Sequence, residues 1–201
     1  MNVIEALETR HAVKHYDPEY ELSEAEIQEL IRLAKLAPSS FNMQNYRFVL
    51  VKDPELRKQI QASAWGQTQV TEASLLIVMC ADLKAYAKDP ARYWRHAPKA
   101  VQDVLVPMMI PFYEGKPQLE RDEAIRSTGL AGMAIMLAAR ELGYDSCPMI
   151  GFDAEAVSKI INLPADHVIS FLIVVGKAAK PAWGRGERLP DTEVVIYDRF
   201  N

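Results

Sequence analysis

The sequence predicts one layered domain of α+β or α/β type, and three observations predict it. Short apolar or β-prone runs at 48–51, 75–80 and 169–175 alternate with segments of helical periodicity. No internal repeat, low-complexity tract or linker divides the 201 residues, so the expected unit is a single domain over 1–201. Residues 122–142 are apolar nearly all round, which requires cover on every side and invites a second subunit to supply part of it.

Each element has a local reason. Asn2 can cap a short helix over 2–9, with Val3, Ile4 and Leu7 on one face. Ser23-Glu24-Ala25-Glu26 reads as a capping box, in which serine and glutamate each satisfy an orphan backbone donor. Ile27, Leu30, Ile31 and Ala34 then repeat at helical spacing until Pro38. A strand is expected at 48–51. Asp53-Pro54 supplies a cap and a first-turn proline for a helix to about Ala64. The 75–80 run is a buried strand. Residues 84–117 hold five prolines and read as broken helices and loops. Gly143 ends the long helix in the left-handed conformation. Asp153 caps a helix to about Ile161, 169–175 is another buried strand, and 193–197 is a β-prone segment.

Composition narrows the function classes. Lys and Arg number 23 against 27 Asp and Glu, a formal net charge of −4. That argues against a general affinity for nucleic acid or anionic membranes. No run reaches the ~18 apolar residues of a membrane span, and the N-terminus lacks the apolar stretch of a secretory signal. Cys80 and Cys147 lie in apolar contexts outside any CxxC pair, so they read as buried thiols in a cytoplasmic protein. His96 and His167 have no partner at metal-ligand spacing, and no metal is expected.

Four segments could carry chemistry. Arg10-His11-Ala12-Val13-Lys14-His15 has four potentially cationic side chains and reads either as a solvated basic stretch or as an anion site. Ser39, Ser40, Asn42, Gln44 and Asn45 crowd small polar and amide groups into one turn, which is either ordinary turn chemistry or a donor and acceptor array for a heterocycle edge. Pro148-Met149-Ile150-Gly151 joins an extended piece to a helix cap, and Gly151 would let backbone approach a flat ligand. Gly184-Arg185-Gly186-Glu187-Arg188 is a poor phosphate motif by itself but adds two arginines if it meets the first segment in space.

Taken together these segments resemble the nitroreductase family of flavoproteins over essentially the whole chain. The resemblance rests on RHAVKHYD at 10–17, APSSFNMQNYRFVLV at 37–51, GLAGMAIMLAARELGYDSCPMIGFD at 129–153 and VVGKAAKPAWGRGERLPDTEVVIYD at 174–198. It implies an α+β three-layer sandwich, with a central, mostly antiparallel sheet flanked by helices and a C-terminal strand exchanged with a dimer partner. It further implies a homodimer with FMN at its interface, NAD(P)H as electron donor, and a small-molecule electron acceptor.

By the same resemblance, Arg10 and Arg188 hold the FMN phosphate with His11 and Ala12 nearby. Lys14 lies beside the pyrimidine edge of the flavin and tunes it. Ser39, Ser40, Asn42 and Gln44 come from the partner subunit, while Pro148, Met149, Ile150 and Gly151 line one face and edge of the ring. No protein side chain is assigned as acid or base, because flavin N5 carries the hydride. The implied activity is ping-pong reduction of nitroaromatics, quinones or similar electrophiles. Related flavin chemistry on the same fold (ene reduction, reductive dehalogenation, flavin fragmentation) and a non-catalytic flavin-binding role are the alternatives. The chain departs from the commoner family pattern at Ala12, Asn45-Tyr46, Ile150 and Gly186; the last leaves Arg185 as the candidate second phosphate cation. Tyr93 and Trp94 fall where the family often builds a substrate lid.

Overall fold

The computed structural model describes residues 1–200. Its elements run α1 (Val3–Thr9), α2 (Glu24–Ala34), β1 (Tyr46–Leu50), α3 (Pro54–Ser63), α4 (Gln69–Glu72), β2 (Leu75–Asp82), α5 (Lys99–Tyr113), α6 (Pro117–Glu141), β3 (Asp145–Met149), α7 (Ala154–Ile160), β4 (His167–Gly176) and α8 (Asp191–Val194). The expected caps are present. Asn2 accepts from Glu5 N, Ser23 and Glu26 close a reciprocal box, and Asp53 and Asp153 each accept from two backbone amides. Gly143 follows α6 at φ +79°, where a side chain would be strained.

The strands form an antiparallel sheet in the order β1-β2-β4-β3. Strand β2 is buried along its whole length, and its alternate residues feed two cores. Leu76, Val78 and Cys80 join Ile60 of α3, Ala64 just after it and Val157 of α7 on one side. Leu75, Ile77 and Met79 join Leu30 and Ala34 of α2 and Ala131, Ile135 and Ala139 of α6 on the other. The period of two along a strand therefore produces three layers, α2/α6 over the sheet over α3/α7. Each fully buried aliphatic contributes roughly 1.5–3 kcal/mol to holding them together.

At Gly132 of α6 the helix meets the sheet closely: a Cβ there would sit 2.4 Å from Cζ of Phe171 on β4. Arg57 of α3 donates to the backbone oxygens of Val70 and Ala73, which ties α4 to the α3 layer. Among the described residues, no helix is long and apolar enough to cross a membrane.

Two expectations change. Residues 84–117 contain α5, a 15-residue helix with Pro107 and Pro111 inside it. The two prolines are four residues apart and both exposed, so they share the solvent side, where water can satisfy the carbonyls that lose a helical donor. In the segment before α5, Lys84 pairs with buried Glu120, and Lys88 bridges Asp82 and Asp166. Within the chain, 193–197 is no strand. Asp191–Val194 is a single helical turn, and Val195, Ile196 and Tyr197 project into solvent.

Candidate active site

The first basic segment is fixed by an extra pairing. Val13 N donates to Ser146 O at 3.2 Å, and Ala12 forms a parallel bridge with Ser146, so 10–14 runs beside edge strand β3. This brings the Lys14 ammonium 3.4 Å from the thiol of Cys147. Burial pushes that thiol above its ordinary range, although Lys14 and Arg10 oppose the shift. His11 is half-buried and Ala12 exposed on the same strip.

The arginine loop folds back onto this segment. One Arg185 nitrogen donates to the carbonyls of Leu7, Glu8 and Arg10 at 3.1, 2.9 and 2.8 Å, closing the C-terminal end of α1. A cation there complements the helix dipole. Arg188 donates only to the nearby carbonyls of Gly186 and Glu187. Burial, followed by the positive charges of Arg185 and Arg188, lowers the Arg10 guanidinium below the usual arginine range, with Cys147 acting in the opposite direction. Three guanidiniums thus converge from the two ends of the sequence, and none of them is paired with a carboxylate among the described residues. Such a cluster is short of one anion.

The end of β3 borders the same strip. Met149 is buried, Pro148 is exposed, and Ile150 is 84% exposed. Gly151 packs against an aromatic ring: a Cβ would stand 2.7 Å from the Trp65 indole, while Gln67 Nε2 donates to Gly151 O at 2.8 Å. The backbone at Gly151 therefore admits a flat ring in contact. Trp65 itself is exposed and sits at φ 55°, a conformation a bulky residue adopts only under local constraint. Nothing in the spacing of Trp65 or Gln67 pointed to this contact, which depends on the turn after α3 reaching the end of β3.

The polar turn is elsewhere. Gln44 N donates to Ser39 Oγ at 2.9 Å, Ser40 Oγ accepts from Tyr113 at 2.6 Å, Ser40 N donates to Glu123, and Asn42 Nδ2 donates to Tyr93 O at 3.2 Å. Phe41, Asn42 and Gln44 all lie in the left-handed region, at φ 50, 55 and 45°. Strain of this kind persists only where surrounding contacts hold it, and it concentrates at functional loops. The tyrosine and glutamate supports come from α5 and α6 and were not legible in the sequence.

The two groups do not meet within one chain. Ser39 to Gln44 lead into β1 at one edge of the sheet, and 10–14 flank the outer side of β3 at the other, about 19 Å away across four strand spacings. The register also puts them at opposite ends. Tyr46 lies level with Ala81 and Val168, whereas Ser146 lies level with Val175 and Leu75. A planar ligand gripped by both groups needs a second copy of the chain.

Comparison with known proteins identifies the family. A sequence model of the nitroreductase family matches residues 7–177. The chain is 48% identical over 185 residues to Protein DrgA of Synechocystis sp., covering 92% of this chain and 88% of that protein. It is 30% identical to the oxygen-insensitive NADPH nitroreductase of Helicobacter pylori, covering 88% of this chain and 87% of the relative. A protein of Exiguobacterium sibiricum solved in complex with FMN superposes with a TM-score of 0.89 at 28% identity, covering 98% of both chains.

Proposed function

Since this chain belongs to the nitroreductase family, we propose that it is an FMN-dependent, NAD(P)H-consuming oxidoreductase that reduces nitroaromatics, quinones or similar electrophiles as a homodimer. The observation that carries the reading is the trio Arg10, Arg185 and Arg188, converging without a carboxylate on the strip that pairs with β3, the strand that runs toward Gly151. That donor set fits a phosphate joined to a planar heterocycle, and Ser146 Oγ, buried beside Ala12 without a hydrogen-bond partner, adds an unused polar atom at the same strip.

In this reading each FMN phosphate is held by Arg10 and Arg188, with His11 and Ala12 alongside and Arg185 completing the positive field. Arginine suits the task because its fork matches two phosphate oxygens at once. Lys14 stands where the pyrimidine edge would lie. Its neighbour Cys147 is a weak acceptor kept protonated by burial, so the ammonium charge is not cancelled and remains available to negative charge that develops on reduction. Met149, Ile150 and Gly151 offer a face and an edge, and Ser39, Ser40, Asn42 and Gln44 reach the ring from the other subunit. When bound, FMN supplies the two-electron exchange between nucleotide and acceptor. The chain's own groups bind, orient and tune, and the two substrates take turns in one cleft, which gives ping-pong kinetics.

Exposed apolar groups support the dimer. Val3, Ile4 and Leu7 of α1 face solvent in one chain, as do Leu130 of α6 and Trp183, Leu189, Tyr197 and Phe200 of the C-terminal arm. Apolar surface of that kind marks an association site, and an arm exchanged with the partner would cover it. The reading extends to a single FMN-binding domain over 1–201 in the cytoplasm, consistent with Cys80 and Cys147 both being free.

The test is a visible spectrum of purified protein before and after anaerobic NADPH or NADH, followed by a screen of acceptors. A yellow protein that bleaches and recovers its colour with a quinone or nitroaromatic is expected. A colourless protein that ignores added FMN overturns the reading.

A further inference from the structure

A second cationic site borders the residues assigned to FMN and shares only Gln44 with them. A cavity of about 470 Å³ opens beside β1, and Lys35, Arg47, Arg92 and Arg95 line it with no carboxylate among its walls. Its size falls within the ~300–1,000 Å³ of small-molecule sites. Arg47 is already committed, donating to Asp82 at 2.9 Å and to the carbonyls of Gln44 and Tyr46. Arg92 is held over the Tyr93 ring at 4.8 Å, and Tyr93 is anchored by its hydroxyl to Ala85 O. Arg95 has only a long contact to exposed Asp89, at 3.8 Å. Lys35 and Arg92 have no carboxylate partner among the described residues and Arg95 has only the long one to Asp89, so positive charge dominates the cavity wall.

The cavity adjoins the polar turn. Gln44 is one of its walls, and Asn42 donates directly to the carbonyl of Tyr93, which couples the arginine-bearing turn to the loop assigned to the flavin edge. A molecule that begins on the flavin and runs outward along Gln44 meets Arg92 and Arg95 next. The reductant of the proposed reaction has that form: a nicotinamide at one end and a phosphorylated adenosine at the other.

We propose that Arg92 and Arg95, with Lys35, bind the 2′-phosphate of NADPH, so that this protein selects NADPH over NADH. The inference rests on the flavin reading above. Arginine is the apt residue, since a phosphate monoester offers several oxygens to a planar fork, and a charge-assisted contact of this kind corresponds to about 10- to 100-fold in affinity.

The experiment measures kcat/KM for both nucleotides with the FMN-loaded protein, its Arg92→Ala and Arg95→Ala variants and the double variant. Binding of 2′,5′-ADP and of 5′-AMP to the oxidised holoprotein is measured by calorimetry. The unaltered protein is expected to favour NADPH and to bind 2′,5′-ADP more tightly than 5′-AMP. In the double variant, the ratio of kcat/KM for NADPH to that for NADH is expected to fall by about 10- to 100-fold, with the 2′,5′-ADP preference lost. Equal use of both nucleotides by the unaltered protein overturns the proposal. So does an unchanged ratio in the double variant, or equal binding of the two adenylates. Bleaching by both nucleotides without selectivity sinks this proposal alone, whereas bleaching by neither sinks the flavin reading with it.

Discussion

The ammonium of Lys14 rests 3.4 Å from the sulfur of Cys147, a side chain with no solvent exposure. The thiol is held above its usual range by burial, so the contact orients the lysine without discharging it. Lys14→Met is expected to lower the two-electron potential of bound FMN by on the order of 30–60 mV, the equivalent of one charge-assisted hydrogen bond. Cys147→Ser should leave the potential nearly unchanged. Spectroelectrochemistry on both variants measures this, and an unaltered potential in Lys14→Met would remove the lysine from the flavin.

The arginines separate by what they touch. Arg188 meets only its own loop, whereas Arg185 closes the end of α1. Arg10→Ala and Arg188→Ala should each weaken FMN binding about 10- to 100-fold. Arg188→Ala should leave the melting temperature of the apoprotein where it was. Arg185→Ala should cost the apoprotein about 0.5–1.5 kcal/mol, because helix carbonyls lose their partner. Fluorescence titration of FMN, paired with thermal melts of the apo form, distinguishes the two roles.

The C-terminal arm should be an assembly element. Sedimentation equilibrium is expected to return twice the 22.6 kDa of one chain. Deletion of residues 182–201 should yield a monomer that has lost FMN, since the same segment carries Arg185 and Arg188. A full-length monomer that retains tight FMN binding would contradict the shared site.

Gly132 tests the packing of α6 on the sheet. Alanine normally favours a helix interior over glycine by about 1 kcal/mol. Here its methyl group would enter the Phe171 ring, and Ile173 Cδ1 lies 3.3 Å away on another side. Gly132→Ala should therefore destabilise the protein by about 1–3 kcal/mol in urea unfolding, the usual range for overpacking. A gain in stability would mean that Phe171 yields freely.

The ion cluster at the end of β4 sets part of the acid limit. Asp166 is held down to about 2, first by a hydrogen bond from Lys88 and then by His167. A carboxyl lowered on folding adds stability that is complete above its unfolded value of about 4 and disappears as pH falls through the folded value. Asp166→Asn should therefore flatten the decline in stability between about pH 5 and pH 2, measured as the urea midpoint against pH. Because Asp166 is partly exposed, solvent screening keeps the change small. Parallel acid limbs for the two proteins would assign that decline to other carboxylates.

Elements whose cause is local were legible in the sequence. The Ser23–Glu26 box, the Asp53-Pro54 start, the Asp153 cap and the glycine after α6 each follow from hydrogen bonds between residues a few positions apart. The buried strands β2 and β4 were legible for a similar reason, since an apolar run reports burial on both faces wherever its partners lie. Residues 84–117 were not, because whether a proline breaks a helix depends on which way the helix faces. In α5 both prolines are exposed, a fact that exists only once Met109 and Tyr113 are buried against Met43, Ala85 and Tyr86.

By itself the sequence determined the caps, the alternation of helix and strand, and the inventory of cations and amides that family resemblance turns into an FMN site. The tertiary structure decided which of those groups are neighbours. It set Lys14 against Cys147 and Arg185 on the carbonyls of α1, placed Trp65 over Gly151, and sent the Ser39 to Gln44 turn to the far edge of the sheet from Arg10. The physical reason is that strand order is settled by pairing between segments distant in sequence. Residue spacing records one segment's own period and cap, and carries no trace of the strand that lies beside it.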